Sequence, residues 1–463
     1  MMNHMNPLHD AAFRKLFAAQ VIALVGTGLS TVALTLLAYD MAGGNAASVL
    51  GTALAFKMVA YVVFAPIVGG LAHRFLRKPF LIAMDLVRAG IILAIPFVTE
   101  VWQIYLLIFL LSLFSAGFKP VFTATIPDIL PDERQYTRAL SMSRLAYDLE
   151  NLLSPALAGL ALLFITYTGL FIANSFAFLI SAVLIIFTVL PPNQEVYRQG
   201  SVWDEISFGI RSYLKTPRLR GLLALYLGVA SASAMIIVNT VIYIRETLGG
   251  SESDVAMALG ASGLGSMIAA ITLPKVLDRV PDRPVMLLGA VLMALGVGLI
   301  STGPSFSSVL PIWFLIGVGW SLVQTPAGRV VNRSSSPADR SAYFSAQFAL
   351  SHACWLLFYL VAGLFGTRFG VETTALVLAA CILVFATLAA RLWPKHDEVI
   401  LLHTHAEKNH QHKHTHDSHH AHDHEDWEGP EPHSHPHRHR PVRHAHAYVI
   451  DDHHTVWPQA SSP

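Results

Sequence analysis

Apolar runs of about 20 residues, separated by short polar stretches, recur along most of this chain. A membrane-crossing helix needs about 20 mostly apolar residues, and the pattern predicts twelve. The first six spans cover 13–39, 46–72, 79–98, 102–126, 138–165 and 169–190. After a polar stretch, six more cover 218–246, 254–277, 284–302, 309–331, 341–367 and 371–393. The expected organisation is a six-helix bundle over 1–190, a central loop over 191–217, a second bundle over 218–393 and a polar tail over 394–463. Residues 204–214 of the central loop have the pattern of an amphipathic helix lying on the membrane surface. The predicted class is an all-α membrane protein with twelve transmembrane helices in two pseudo-symmetric halves.

Basic residues favour one set of loops. Arg74, Arg77 and Lys78 lie between spans 2 and 3, and Arg134 and Arg138 between 4 and 5. Arg279 and Arg283 lie between 8 and 9, and Arg333 and Arg340 between 10 and 11. The opposite loops hold little more than Arg245 and Arg368. Positive charge stays inside, so an even number of spans places both termini in the cytoplasm. The same loops carry a repeat. Pro120 and Pro326, Pro131 and Pro337, and Arg134 and Arg340 are each 206 residues apart, while Arg74 and Arg279, and Pro79 and Pro284, are 205 apart. Two related halves explain the common offset.

Composition narrows the function. The chain is 54% hydrophobic and 13% charged, with net charge +1, whereas ordinary domains carry about 25% charge. A soluble enzyme is excluded, and no basic field points to nucleic acid. Cys354 and Cys381 fall in apolar segments, which argues against a disulfide framework or a thiolate metal site. The N-terminus does not read as a signal peptide, because Asp10 occupies its positive region and the first apolar run is long enough to span. No Walker motif, nucleophile elbow or H-E-x-x-H is present, so neither an ATP-driven pump nor an enzyme is expected.

Of the 23 histidines, 18 lie between His403 and His454 in the tail. They stand at His403, His405, His410, His412, His414, His416, His419, His420, His422 and His424. Further on come His433, His435, His437, His439, His444, His446, His453 and His454. Alternation puts imidazoles on one side of an extended chain, and imidazole suits Ni, Co, Zn and Cu. The tail is expected to bind divalent metal ions without being a prosthetic-group site, and to be disordered without them. A pH-responsive polar tail is the alternative reading.

Charges inside spans are costly and mark function. Span 5 holds Arg144, Tyr147, Asp148, Glu150 and Asn151, with Asp148 near mid-membrane. Arg144 and Asp148 are four apart and can form a static pair. Glu150 has no local partner, and can bind a divalent cation or carry a counter-transported proton. His352 in span 11 is either a packing residue or, with nearby Cys354, a ligand for a passing metal. Lys57 in span 2 needs a partner, for which Asp148 and Glu150 are the options.

The segment between spans 2 and 3 resembles the signature of the major facilitator superfamily: a glycine, three residues, then Asp-Arg-x-Gly-Arg-Arg/Lys. Gly69, Arg74, Arg77 and Lys78 match, while His73 replaces the acid and Leu76 the second glycine. Ser154, Pro155, Ala158 and Gly159 stand at the spacing of the antiporter motif found in span 5 of exporting members. The resemblance implies that spans 1, 4, 7 and 10 line a central cavity. These carry stripes such as Gln20, Thr27 and Thr31, then Ser112, Ser115 and Lys119, then Met235, Asn239 and Tyr243, then Trp313, Trp320 and Gln324. Within the superfamily, the histidine-rich tail resembles the NreB-type nickel and cobalt resistance exporters. That resemblance implies a monomer in the bacterial plasma (inner) membrane that exports divalent nickel or cobalt by proton antiport. The alternative is an exporter of organic compounds, a drug or siderophore, with a metal-binding regulatory tail.

Overall fold

The computed structural model describes residues 6–42, 46–192, 201–395, 397, 400–405, 408–414, 433–439, 442–451, 454 and 456–458. Within them only the backbone is described at 46–48, 151, 152, 155, 252 and 367, and between 401 and 447. The first half contains α1 (Ala11–Ala42), α2 (Ala46–Leu71), α3 (Arg77–Ala94), α4 (Val101–Ile129), α5 (Glu133–Ala161) and α6 (Tyr167–Ile186). A short helix, α7 (Val202–Lys215), connects it to the second half. There follow α8 (Pro217–Thr247), α9 (Ser253–Leu277), α10 (Asp282–Ile300), α11 (Phe306–Arg333), α12 (Arg340–Gly366) and α13 (Arg368–Leu392). The chain kinks at Gly370, just inside the start of α13, where a φ of 79° is open to glycine.

Eleven of the described helices are long and apolar enough to cross a bilayer. The twelfth, α5, is as long as its neighbours but carries Arg138, Arg144, Asp148 and Glu150. Asp132 caps its start by accepting the Gln135 N–H at 2.9 Å. Its charges are tolerated because much of the helix is covered by protein rather than lipid. In the first half α1 and α3 pack on α6, and α2 packs on α4; in the second, α9 and α10 pack on α11. The halves meet where α2 lies against α12 and α5 against α9, two contacts related by the sixfold shift in span number. At Gly69 of α2 an added Cβ would stand 2.1 Å from Ser345 Oγ of α12, so only glycine permits this approach.

The amphipathic helix is present, but its inner face does not lie on lipid. Glu205, Phe208, Gly209, Ser212 and Tyr213, at helical spacing, are buried. Arg74 donates to Glu205 at 2.8 and 3.1 Å, and the Tyr213 hydroxyl donates to Gln347 of α12. A Cβ at Gly70 would lie 2.5 Å from the Glu205 carbonyl oxygen. Thus α7 straddles α2 and α12, one from each half.

Beyond Trp393 the described backbone of the tail includes four short strands: β1 (Ile400–His405) pairs antiparallel with β4 (Val442–Ala447), and β2 (Lys408–His414) with β3 (His433–His439). The physical reason is that a polar–histidine alternation has the two-residue period of a strand. After β4 the chain returns to the membrane body. Tyr448 and Ile450 are buried, the Tyr343 hydroxyl of α12 donates to the Ile450 carbonyl at 2.7 Å, and Arg218 of α8 lies over the Trp457 ring. Arg218 also pairs with Asp397 at 3.2 Å.

Candidate functional site: a cavity closed at the arginine-rich side

A cavity of about 480 Å³ opens within the first half. Its wall is mostly apolar, contributed by α1 to α6, and only Gln324 and Thr325 of α11 join from the second half. Spans 1, 4 and 10 thus join the lining as expected, span 10 only through these two residues, whereas span 7 contributes none of its described residues. Trp313 is fully buried in the core of the second half, its indole N–H donating to Thr240 at 2.9 Å. Asn239 and Tyr243 are buried as well. The polar stripe of span 7 is therefore helix packing, eased by two π-helical turns at Met235–Asn239 and Tyr243–Thr247.

The cavity floor is charged. Arg144 pairs with Asp148 at 2.7 Å and also donates to Ser266 of α9 and Gln324 of α11. Ser266 donates to Asp148 at 2.6 Å. The intrahelical pair is thus also a contact between halves. Arg88 pairs with Asp85, which accepts Ser181 at 2.8 Å, and its guanidinium lies 4.0 and 4.5 Å from the Phe118 and Phe178 ring centroids. Lys57 does not pair with Asp148 or Glu150 among the described ion pairs. Its ammonium and that of Lys119 instead lie 5.8 and 5.6 Å from the Tyr61 ring centroid. Both lysines act on Glu150 through space. The Glu150 carboxylate sits beside Gly28 of α1, where an added Cβ would be 3.2 Å from its Oε1.

His352 is not assembled into a metal site. Its Nδ1 donates to the Phe348 carbonyl at 2.6 Å, and the Tyr61, Phe348 and Trp355 rings surround it at 4.1–4.8 Å. Among the described residues no group of three His, Cys, Asp or Glu could hold a metal ion. Ser154 packs closely on α1, where a Cβ at Gly28 would approach its Oγ to 1.8 Å. Gly159 is exposed, and a Cβ there would meet nothing within 4 Å. The side chains of Asn151 and Pro155 lie outside the described residues, as do His416, His419, His420, His422 and His424.

Below the cavity, ion pairs join the halves. Asp128 of α4 accepts Arg77 of its own half at 2.6 Å and Arg340 of α12. Arg329 of α11 donates to Glu133 and Thr137 of α5, each at 2.8 Å, and pairs with Asp282. Arg134 reaches Asp278 at 3.5 Å. His73 stands 3.5 Å from Glu205, so α7 supplies in space an acid next to the histidine that replaces the signature's acid. Asp128 and Glu205 were missed in the sequence, although the Pro127-Asp128 step closing span 4 was a visible signal. Nearer the opposite ends of these helices, a Cβ at Gly51 of α2 or Gly363 of α12 would meet nothing within 4 Å.

Two six-helix halves, a cavity between bilayer faces and an ion-paired closure on one face define a polytopic membrane transporter. The Major Facilitator Superfamily model matches residues 16–237 and 222–441, and the chain belongs to that family. It is 26% identical to the uncharacterized MFS-type transporter YfiS of Bacillus subtilis, over 83% of this chain and 93% of that protein. It is 28% identical to the multi-drug resistance efflux pump PmrA of Streptococcus pneumoniae, over 64% and 73%. It is 30% identical to macrolide efflux protein A of Streptococcus pyogenes, over 32% and 37%. The fold matches the human organic anion transporter MFSD10 (TM-score 0.70, 14% identity, 82% and 99% of the chains). It also matches a bacterial homologue of the iron transporter ferroportin in its outward-facing state (TM-score 0.68, 13% identity, 82% and 99%).

Proposed function

We propose that this protein is a secondary exporter of amphiphilic organic compounds, driven by proton exchange. The observation that carries this reading is the cavity: about 480 Å³, mostly apolar, with a few polar groups, the form expected of a small-molecule site. The names of PmrA and macrolide efflux protein A favour export. Positive-inside orientation makes the arginine-rich side cytoplasmic, so the conformation described here faces outward. Glu150 is the proton-carrying group in this reading, and the transporter works as a monomer in the plasma membrane.

A second reading, export of nickel or cobalt, is favoured by one observation. In the tail ladders His403 stands opposite His444, His410 opposite His437, His412 opposite His435 and His414 opposite His433. Such pairs suit divalent Ni, Co, Zn or Cu. The cavity argues against metal as cargo, because no carboxylate is among its described lining residues; the tail then serves regulation. Inside-out vesicles with an imposed pH gradient test both. Gradient-driven accumulation of fluorescent amphiphiles, abolished in Glu150→Gln, is expected. Accumulation of labelled nickel or cobalt without any amphiphile would overturn the organic reading.

A further inference from the structure

The charges facing the cavity do not balance. Four cations line it, Lys57, Arg88, Lys119 and Arg144, and no carboxylate does so among the described residues. Arg88 is neutralised by Asp85 and is clasped between two aromatic rings. Arg144 is neutralised by Asp148. Lys57 and Lys119 remain. Neither has a carboxylate at ion-pairing distance in the described structure, and both approach the single ring of Tyr61. Glu150, the acid that feels both lysines, cancels at most one of the two charges.

An uncompensated ammonium at membrane depth is expensive. Water in an open cavity offsets the cost in this conformation, but closure of the outer side would strip it away. A counter-ion carried in by the ligand removes the penalty. The rest of the wall is apolar, so the remainder of that ligand is hydrophobic. Divalent cations are disfavoured by the same excess of positive charge.

We propose that the cavity selects organic monoanions, a hydrophobic body bearing one carboxylate or sulfonate, whose acid group is held between Lys57 and Lys119 beside Tyr61. This rests on the organic-export reading and narrows its substrate class. Reading the two lysines as the anion clamp assigns them a role in specificity rather than in the fold.

The test uses the full chain in proteoliposomes with a pH gradient and three dyes. These are 8-anilinonaphthalene-1-sulfonate, its neutral parent N-phenyl-1-naphthylamine, and the cation ethidium. Transport of the sulfonate in preference to the other two is expected. Lys57→Gln and Lys119→Gln should each raise its KM about ten-fold, as loss of a charge-assisted contact does. Lys57→Arg and Lys119→Arg should restore it, which separates lost charge from lost fold. If the neutral dye or ethidium is carried and the sulfonate is not, the anion proposal fails while organic export stands. If the sulfonate is carried with unchanged KM in both glutamine variants, the lysine clamp is wrong. If no dye is carried, the organic-export reading itself falls.

Discussion

Replacing Asp128 by asparagine should unbalance the two conformations of the transporter. Asp128 accepts Arg77 of its own half and Arg340 of the other, with only 13% of its side chain exposed. The first contact moves with the half and persists in any rigid-body rearrangement. The second must break when the arginine-rich side opens. A hydrogen bond to a charged group contributes about 1.5–3 kcal/mol, and only the contact across the halves distinguishes the two states. The closed form should therefore lose about 1.5–3 kcal/mol relative to the open one, raising the open-to-closed ratio roughly 10- to 100-fold. Repulsion between the two arginines left facing each other acts in the same direction. Spin labels at the exposed residues Leu76 and Val280, on loops of opposite halves, report the separation by electron–electron resonance. The unmodified protein should give one short distance, and Asp128→Asn a second, longer population. Arg340→Lys in the otherwise unmodified protein, which keeps the charge pair, should retain most of the closure. An unchanged distance distribution in Asp128→Asn would refute the assignment of this pair as a closing contact.

Trp313→Phe should lower thermal stability by about 1–3 kcal/mol through the lost Thr240 hydrogen bond and the smaller ring, with transport KM unchanged. Gly70→Val should lift α7 from α2, seen as faster hydrogen exchange over 202–215 and a smaller change elsewhere; equal exchange there would contradict the close packing. Ser201→Ala should cost α7 about 1 kcal/mol, because Ser201 and Asp204 form a reciprocal cap. The Ser201 N–H and hydroxyl hold the Asp204 carboxyl below its usual range. That part of the cap is therefore intact above the ordinary carboxylate range and is lost as pH falls through the lowered value, which exchange measured from neutral to acid pH would reveal.

Much of the fold was legible because lipid imposes a coarse requirement. A run of about 20 apolar residues is needed whatever the helix packs against, so even α5 was found despite its charges. What an apolar stripe faces was not legible. The inner face of α7 reads the same whether it meets lipid or protein, and the stripe on span 7 and Trp313 of span 10 read the same whether they line a cavity or a core. The closure depends on partners far apart in sequence. Arg74 and Glu205 are separated by 131 residues, and Asp128 and Arg340 by 212, and no local spacing pairs them. The Arg144–Asp148 pair was visible because it obeys helical spacing, yet its contacts to Ser266 and Gln324 were not. The alternation in the tail fits two descriptions equally well, spaced ligands and the period of a strand.

The return of the chain to the membrane body changes what the histidine-rich region can reach. It departs at Asp397, paired to Arg218, and comes back at Tyr448–Ile450, bonded to Tyr343, with Trp457 against the same Arg218. A segment of about 50 residues pinned at both ends can extend no further than half its contour, roughly 85 Å at 3.3–3.6 Å per residue. Freed at its last dozen residues, the same segment would sweep twice that radius and about eight times the volume. The docked end is thus a leash: it confines the histidine-rich segment to the neighbourhood of the membrane body.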